Sequence, residues 1–183
     1  NYKSKNIFSF NIDNKFKIKN FITDSDIYFN SLECKKPISF NNYLQNKNDL
    51  IQLNDHKVKL IFKKNNLAID GFGKIKLESK FDDIKYKINL KNNNLSLMSN
   101  LKLSELKLNN QKYLKYFFPK PNKEIDLKDQ QIEINYDNNG LSIQGRGEIK
   151  FLDEFEDINF EIIKTDDEYK FNTQIDLEKT LLN

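Results

Sequence analysis

The chain has 183 residues, of which 38% are hydrophobic and 31% charged, and its formal net charge is +3. Its 15 Phe and 8 Tyr exclude a disordered composition, which is poor in aromatic residues. The weak net charge gives no support for a nucleic-acid module, and the single cysteine excludes an internal disulfide framework. The chain begins at Asn1 and stops within a strand-like pattern, so we expect a segment of a longer protein.

Residues 1–36 are predicted to form an N-terminal β-hairpin region, a partial repeat. Apolar and polar residues alternate on both sides of Asp13, a residue type that favours turns because its side chain bonds its own backbone. Asp24 and Asp26 predict a second turn, which is followed by a third short strand over residues 27–32.

An internal repeat dominates the rest of the chain. Residues 67–88 and 141–162 align without a gap at an offset of 74, so that Gly71-x-Gly73 falls on Gly145-x-Gly147. A repeat dictates the architecture. We therefore expect a first β repeat over residues 37–110 and a second over residues 111–183.

Each repeat predicts a short leading helix and then a four-stranded antiparallel meander with one apolar and one polar face. Apolar residues at i, i+3 and i+4 indicate the helices within residues 39–48 and 111–118. In the first repeat, alternation predicts strands over residues 51–63, 67–77, 81–91 and 95–103. Turns are expected at Asn65-Asn66, at Asp82-Asp83 (or an extra residue there) and, in the second repeat, at Asn138-Asn139-Gly140. The fold class is thus mostly β, an elongated curved sheet or groove.

Charge is not what the two repeats share. Residues 54–103 carry 11 Lys against 5 Asp and Glu, a net +6, whereas residues 128–177 carry 5 Lys and Arg against 13 Asp and Glu, a net −8. The apolar positions are kept while the charges invert. The charged residues are therefore interpreted as a solvated face.

The paired glycines do not form a nucleotide-binding loop. That fingerprint needs a third glycine and a helix, whereas a strand continues here. Glycines at i and i+2 lie on the same face of a strand, where they permit curvature or the close approach of another backbone or a ligand. Gly71, Gly73, Gly145 and Gly147 are therefore predicted to curve the sheet.

No residue set predicts catalysis, a metal site or a cofactor. Asp153, Glu154, Glu156 and Asp157 form an acidic cluster that turn chemistry explains better than metal binding. His56 and Cys34 lack partners at ligand or nucleophile spacing. Lysines between residues 57 and 87 could bind phosphates or anionic headgroups, although a solvated outer face is the simpler interpretation. Residues 113–118 could touch a membrane surface or pack against a sheet edge.

The pattern IEINYDNNGLSIQGRGEIKF…FEDINFEI…EYKFNTQIDL resembles the AsmA-like repeat proteins of Gram-negative envelopes, including the TamB-like and YhdP-like members. The likeness covers residues 51–177. It implies a long β-groove with an apolar lining that carries phospholipid across the periplasm. It also implies an inner-membrane anchor outside this segment, membrane contact through such outside parts, and neighbouring repeats of the same longer chain.

The resulting hypothesis is a non-enzymatic segment whose inward face binds phospholipid or another acyl-chain lipid, with no nucleic acid as partner. A structural β-sandwich spacer or surface protein with a sealed core is the alternative, and an enzyme such as a hydrolase is disfavoured. The candidate lipid-binding residues are Leu67, Ile69, Ile75, Leu77, Ile84, Tyr86, Ile88, Leu141, Ile143, Ile149, Phe151, Ile158, Phe160 and Ile162.

Overall fold

A computed structural model describes residues 1–36, 50–109, 124–151, 154–166 and 168–178. These residues form one antiparallel sheet of ten strands in which each strand pairs with its neighbours in the sequence. The sheet is open, because β1 and β10 pair with one neighbour each. The strands are β1 (Tyr2–Ile12), β2 (Ile18–Lys35), β3 (Leu50–Lys63), β4 (Asn66–Lys76), β5 (Asp82–Lys91), β6 (Asn94–Asn109), β7 (Glu124–Asp137), β8 (Gly140–Phe151), β9 (Glu154–Thr165) and β10 (Glu168–Asp176).

The predicted fold class, a mostly β antiparallel meander, is confirmed. Both predicted leading helices fall on residues outside the described ranges, and the described residues contain no helix. In that same part of the chain, no helix is long and apolar enough to cross a membrane. The strands of all three predicted regions join one continuous sheet.

Tight turns connect consecutive strands at one end of the sheet, where the strands begin and end. Lys64 and Asn65 join β3 to β4 with φ of 50° and 61°, and Asn92 and Asn93 join β5 to β6 with φ of 51° and 65°. Two-residue turns with positive φ match the twist of a hairpin, and Asn tolerates that conformation better than most residues. The turn predicted at Asn65-Asn66 therefore lies one residue earlier, because Asn66 already belongs to β4.

Two predicted turns are wrong. Asp24 and Asp26 lie inside β2, a single strand of 18 residues, where the Lys59 ammonium bridges both carboxylates at 2.9 and 3.6 Å. Asp82 and Asp83 are the first two residues of β5, so the break in the pattern comes earlier, in the bends at residues 77–80. In both places a cross-strand partner outweighs the local turn preference of aspartate.

The internal repeat is reproduced in three dimensions. Strands β3 to β6 correspond to β7 to β10, and each series contains the same irregularity. The register between β3 and β4 shifts between Asn54 and Lys57, and that between β7 and β8 shifts between Lys128 and Gln131. One residue of each β-bulge, Asp55 or Asp129, has positive φ, at 52° and 50°. A bulge adds one residue to one strand and re-aims the side chains beside it.

Candidate functional site

The alternating register divides the sheet into a polar face and an apolar face. Val58, Leu60 and Phe62 lie on the apolar face of β3, and Lys57, Lys59 and Lys63 on its polar face, as the sequence predicts. Directly paired residues share a face, so the apolar face can be followed from strand to strand. One such row runs across the sheet through Ile27, Val58, Gly71, Tyr86, Ser99, Ile134, Ile143, Ile162 and Phe171.

The register places thirteen of the fourteen candidate lipid-binding residues and the four glycines on this apolar face. Leu77 lies in the bend after β4, where it packs against the buried cluster described below. Ile75, Ile149 and Ile158 are buried, and the other candidates with described side chains are partly buried. Phe151 occupies its register position opposite Glu154, but its side chain is outside the described set. The candidate residues within the strands therefore share one face of the sheet, and their contact with lipid stays a prediction.

The apolar face is buried in one half and exposed in the other. The buried cluster of Leu103, Leu106, Leu127, Ile149 and Ile158 lies toward the strand ends opposite the tight turns. Toward the tight turns and on the edge strand β10, aromatic side chains are exposed: Tyr136 is 42% accessible, Tyr169 57% and Phe171 67%. The face is therefore neither wholly sealed nor wholly open.

Neighbouring side chains fill the space above the paired glycines. A Cβ at Gly71 would overlap the Tyr86 ring, and a Cβ at Gly145 would overlap the Phe160 ring. The absent side chains thus let an aromatic residue of the next strand lie flat across the sheet. Curvature by these glycines stays a prediction.

The second glycine of each pair faces a polar side chain. A Cβ at Gly73 would overlap the His56 imidazole, and a Cβ at Gly147 would overlap the Gln130 amide. His56 Nε2 donates to the Lys74 carbonyl at 3.0 Å, and Gln130 Nε2 donates to the Glu148 carbonyl at 2.9 Å. Both side chains are almost fully buried. They therefore bind the backbone of the neighbouring strand beside each bulge.

His56 is held by rings as well as by its hydrogen bond. The Phe29 ring stacks on it at 5.0 Å between centroids, and the Tyr86 ring is tilted at 6.1 Å. Burial lowers the pKa of His56, which outweighs the raising effects of the Lys74 carbonyl and the Asp55 charge. Among the described residues, its Nδ1 has no hydrogen-bond partner. The histidine is therefore packed as a neutral group beside the bulge.

Two carboxylates on the apolar face were not predicted as buried groups. Asp82 Oδ1 accepts hydrogen bonds from the backbone N and the hydroxyl of Ser104, both at 2.8 Å. Its counterpart 74 residues later, Glu156, accepts from the backbone N of Glu178 at 3.1 Å. Asp82 lies two residues before Ile84 in the same strand, so alternation places its side chain on the apolar face with Ile84, Tyr86 and Ile88. This spacing was the signal in the sequence.

The described residues contain no group of three or more His, Cys, Asp or Glu that could hold a metal ion. Asp153, one member of the acidic cluster, lies outside the described ranges, and Cys34 is a partly buried free thiol. Residues 113–118 also lie outside those ranges.

Comparison with known proteins identifies no relative: neither a protein-family model, nor a curated protein, nor a solved structure matches this chain.

Proposed function

We propose that this chain is a non-catalytic, lipid-binding segment of an envelope protein, in which the apolar face holds the acyl chains of phospholipid or a similar lipid. The observation that carries the proposal is the continuous apolar face of an open sheet, part of which is exposed. Scattered exposed apolar residues are ordinary, whereas a contiguous apolar patch marks an interaction surface.

Acyl chains suit this face because it offers methyl groups and rings with few hydrogen-bonding groups. Leu141, Ile143 and Ile162 lie in adjacent rows of β8 and β9 and are partly exposed. Each methylene removed from water there contributes about 0.8 kcal/mol. Binding of this kind needs no catalytic residue.

The cellular setting belongs to the same proposal and rests on the resemblance to AsmA-like proteins. The segment would lie in the periplasm, would be attached to the inner membrane through a region outside it, and would continue into neighbouring repeats. Phospholipid transport or outer-membrane homeostasis would be the role of the longer protein.

The experiment is lipid extraction from the purified chain, followed by mass spectrometry. We expect bound phospholipid, and we expect Ile143→Asp to remove most of it. Ile61→Asp is the matched control, because Ile61 lies on the polar face of β3 and is 38% accessible. Circular dichroism should show a β-sheet spectrum for both variants. Lipid-free wild-type protein, or equal lipid loss in both folded variants, would contradict the proposal.

A photo-crosslinking amino acid makes the test independent of a charged substitution. Placed at position 143 or at position 61, it reports which face the lipid contacts. We expect lipid adducts from position 143 and few from position 61. The reverse distribution would exclude the apolar face as the binding surface.

The buried cluster around Leu103, which is 3% accessible, favours a second candidate, a structural β spacer with a sealed core. If the chain is such a spacer, the apolar face only stabilises the fold. The wild-type chain would then be free of lipid, and crosslinkers at both positions would capture none.

A further inference from the structure

The polar face contains a depression of about 930 Å³ over strands β1 to β6, which belong to the N-terminal region and the first repeat. It lies on the side of the sheet opposite to the proposed lipid surface. Gly71 lines it, together with long side chains from several strands, among them Lys57, Phe72 and Lys85. Two rows of directly paired residues cross it, and they differ in chemistry.

The first row alternates lysines with aromatic rings. It passes from β1 to β5 through Lys3, Tyr28, Lys57, Phe72 and Lys85, each paired with the next across the sheet. We name it the lysine–aromatic row. Neighbouring strands lie about 4.8 Å apart, so successive lysines of the row are separated by roughly 10 Å with one ring between them.

The three lysines of the lysine–aromatic row outnumber the one carboxylate in the described part of the chain that contacts the row, Asp55, whose Oδ1 accepts a hydrogen bond from the Tyr28 hydroxyl at 3.2 Å. Within the described residues, Lys3, Lys57 and Lys85 form no ion pair; Lys85 only adds to the lowering of the Asp83 pKa, which is due chiefly to Lys74. The Lys57 ammonium lies 5.7 Å from the centre of the Phe72 ring, and that ring is 50% accessible. An exposed ring between unpaired cations is a platform on which a flat ligand unit can stack.

The second row alternates lysines with carboxylates. It runs parallel through Lys5, Asp26, Lys59, Asp70 and Lys87, and we name it the lysine–aspartate row. Lys59 contacts Asp26 at 3.6 Å, and Lys87 contacts Asp70 at 3.5 Å. This row is nearly neutral, and its carboxylates can accept hydrogen bonds from hydroxyl groups.

We infer that this depression binds an acidic glycan, a saccharide chain that bears carboxylate, phosphate or sulfate groups. Its anionic groups would contact the three lysines of the lysine–aromatic row, and its sugar rings would stack on Phe72 and Tyr28. Its hydroxyl groups would donate to Asp26 and Asp70. All three contacts use groups that already stand in the depression.

Other anionic partners fit less well. A nucleic acid places a phosphate at every unit, and the two aspartates would repel such a chain, whereas nucleic-acid surfaces carry a continuous basic stripe. A bilayer surface is flat, whereas this surface is recessed. A glycan combines spaced charge with hydroxyl donors, which is the combination that the two rows provide.

The second repeat supplies an internal comparison. At the positions of Lys57, Phe72 and Lys85 it has Gln131, Arg146 and Asn159. Its depression on the polar face is smaller, about 380 Å³, and the Arg146 guanidinium is bound to the Gln131 side chain at 2.8 and 3.1 Å. The second repeat therefore lacks this alternation of lysines and rings, and it shows which residues the sheet accepts at these positions.

The test is binding of an oligogalacturonate probe to the complete chain, measured by calorimetry, with neutral dextran oligosaccharide as the uncharged control. Lys57→Gln with Lys85→Asn introduces the residues of the second repeat, so the fold is expected to persist. We expect binding to weaken about tenfold or more in this variant, because exposed charge contacts contribute modestly one by one. Phe72→Ala should also weaken it, with no change in the apolar face.

The control variant is Lys150→Gln, a lysine at the β8–β9 pairing far along the sheet from the depression. It removes one charge and should leave glycan binding unchanged. No binding of the probe by the wild type, or binding that Phe72→Ala and the double variant leave unchanged, would overturn the inference. Equal affinity for single-stranded oligonucleotide or for inorganic polyphosphate would also overturn it, since charge alone would then explain binding.

Discussion

His56 occupies the space that the missing side chain of Gly73 leaves on the neighbouring strand. The second repeat has the same relationship between Gln130 and Gly147. In each repeat, a bulge residue with positive φ comes immediately before the polar side chain, which binds a backbone carbonyl of the next strand. The repeat therefore preserves an arrangement of glycine, bulge and buried polar group, although the polar residue differs.

This arrangement predicts that the stability of the first repeat depends on pH through His56. Burial lowers the pKa of His56 in the folded chain below its usual value of about 6.5. As pH falls below 6.5, His56 binds a proton in the unfolded chain but stays neutral in the folded chain, so the free energy of unfolding decreases. Denaturant unfolding at intervals between pH 8 and pH 5 measures this decrease.

His56→Gln is the matched control, because glutamine holds the equivalent position in the second repeat. We expect this variant to fold, and we expect its free energy of unfolding to change less between pH 8 and pH 5 than that of the wild type. An identical pH profile for the two proteins would show that His56 is not the titrating group.

The contact between Gly145 and the Phe160 ring predicts the effect of a larger residue. Gly145→Ala places a methyl group where the ring lies, so the ring must move, and overpacking of this kind costs about 1–3 kcal/mol. Phe160→Leu should recover part of this loss when combined with Gly145→Ala. Urea unfolding of the two single variants and the double variant gives the coupling, and additive effects would contradict the contact.

Strands, faces and hairpin turns could be predicted from the sequence because their signals are local. Alternation with period two placed Val58 and Lys57 on opposite faces, and asparagines marked the tight turns. The turn predicted at Asp24 and Asp26 was wrong because the signal that decides this structure is not local. Aspartate favours a turn when only its neighbours are considered, but these carboxylates meet Lys59, which is more than thirty residues away along the chain.

The candidate site was predicted in outline and missed in detail. The glycine pair predicted a close approach at Gly73. The residue that fills this space, His56, could be identified only from the register across the bulge at Asp55. The lysine–aromatic row likewise requires the pairing of five strands. Whether an apolar residue is buried or exposed depends on what surrounds it in space, so alternation alone could not separate Ile149 from Phe171.

Asp82 tests the buried hydrogen bonds of the apolar face. Asp82→Ala leaves the backbone N and the hydroxyl of Ser104 without their acceptor, and an unsatisfied buried donor costs about 1–3 kcal/mol. Asp82→Asn keeps one acceptor oxygen and should lose less. The free energies of unfolding of both variants test this expectation. Because asparagine keeps the volume and one acceptor oxygen of aspartate, equal losses would contradict it and would point to the lost negative charge.

The two halves of the apolar face should respond differently to truncation. Ile149 is 5% accessible within the buried cluster, so Ile149→Ala should lower the free energy of unfolding by about 2–5 kcal/mol. Phe171 is 67% accessible, so Phe171→Ala should change it by less than about 0.5 kcal/mol, because substitutions at exposed positions rarely do more. Urea unfolding of the two variants gives both values. A large loss from Phe171→Ala would mean that the exposed half is covered in solution, and a small loss from Ile149→Ala would mean that the cluster is loosely packed. If both expectations hold, the side chains at the exposed half are free to contact lipid without any cost to the fold.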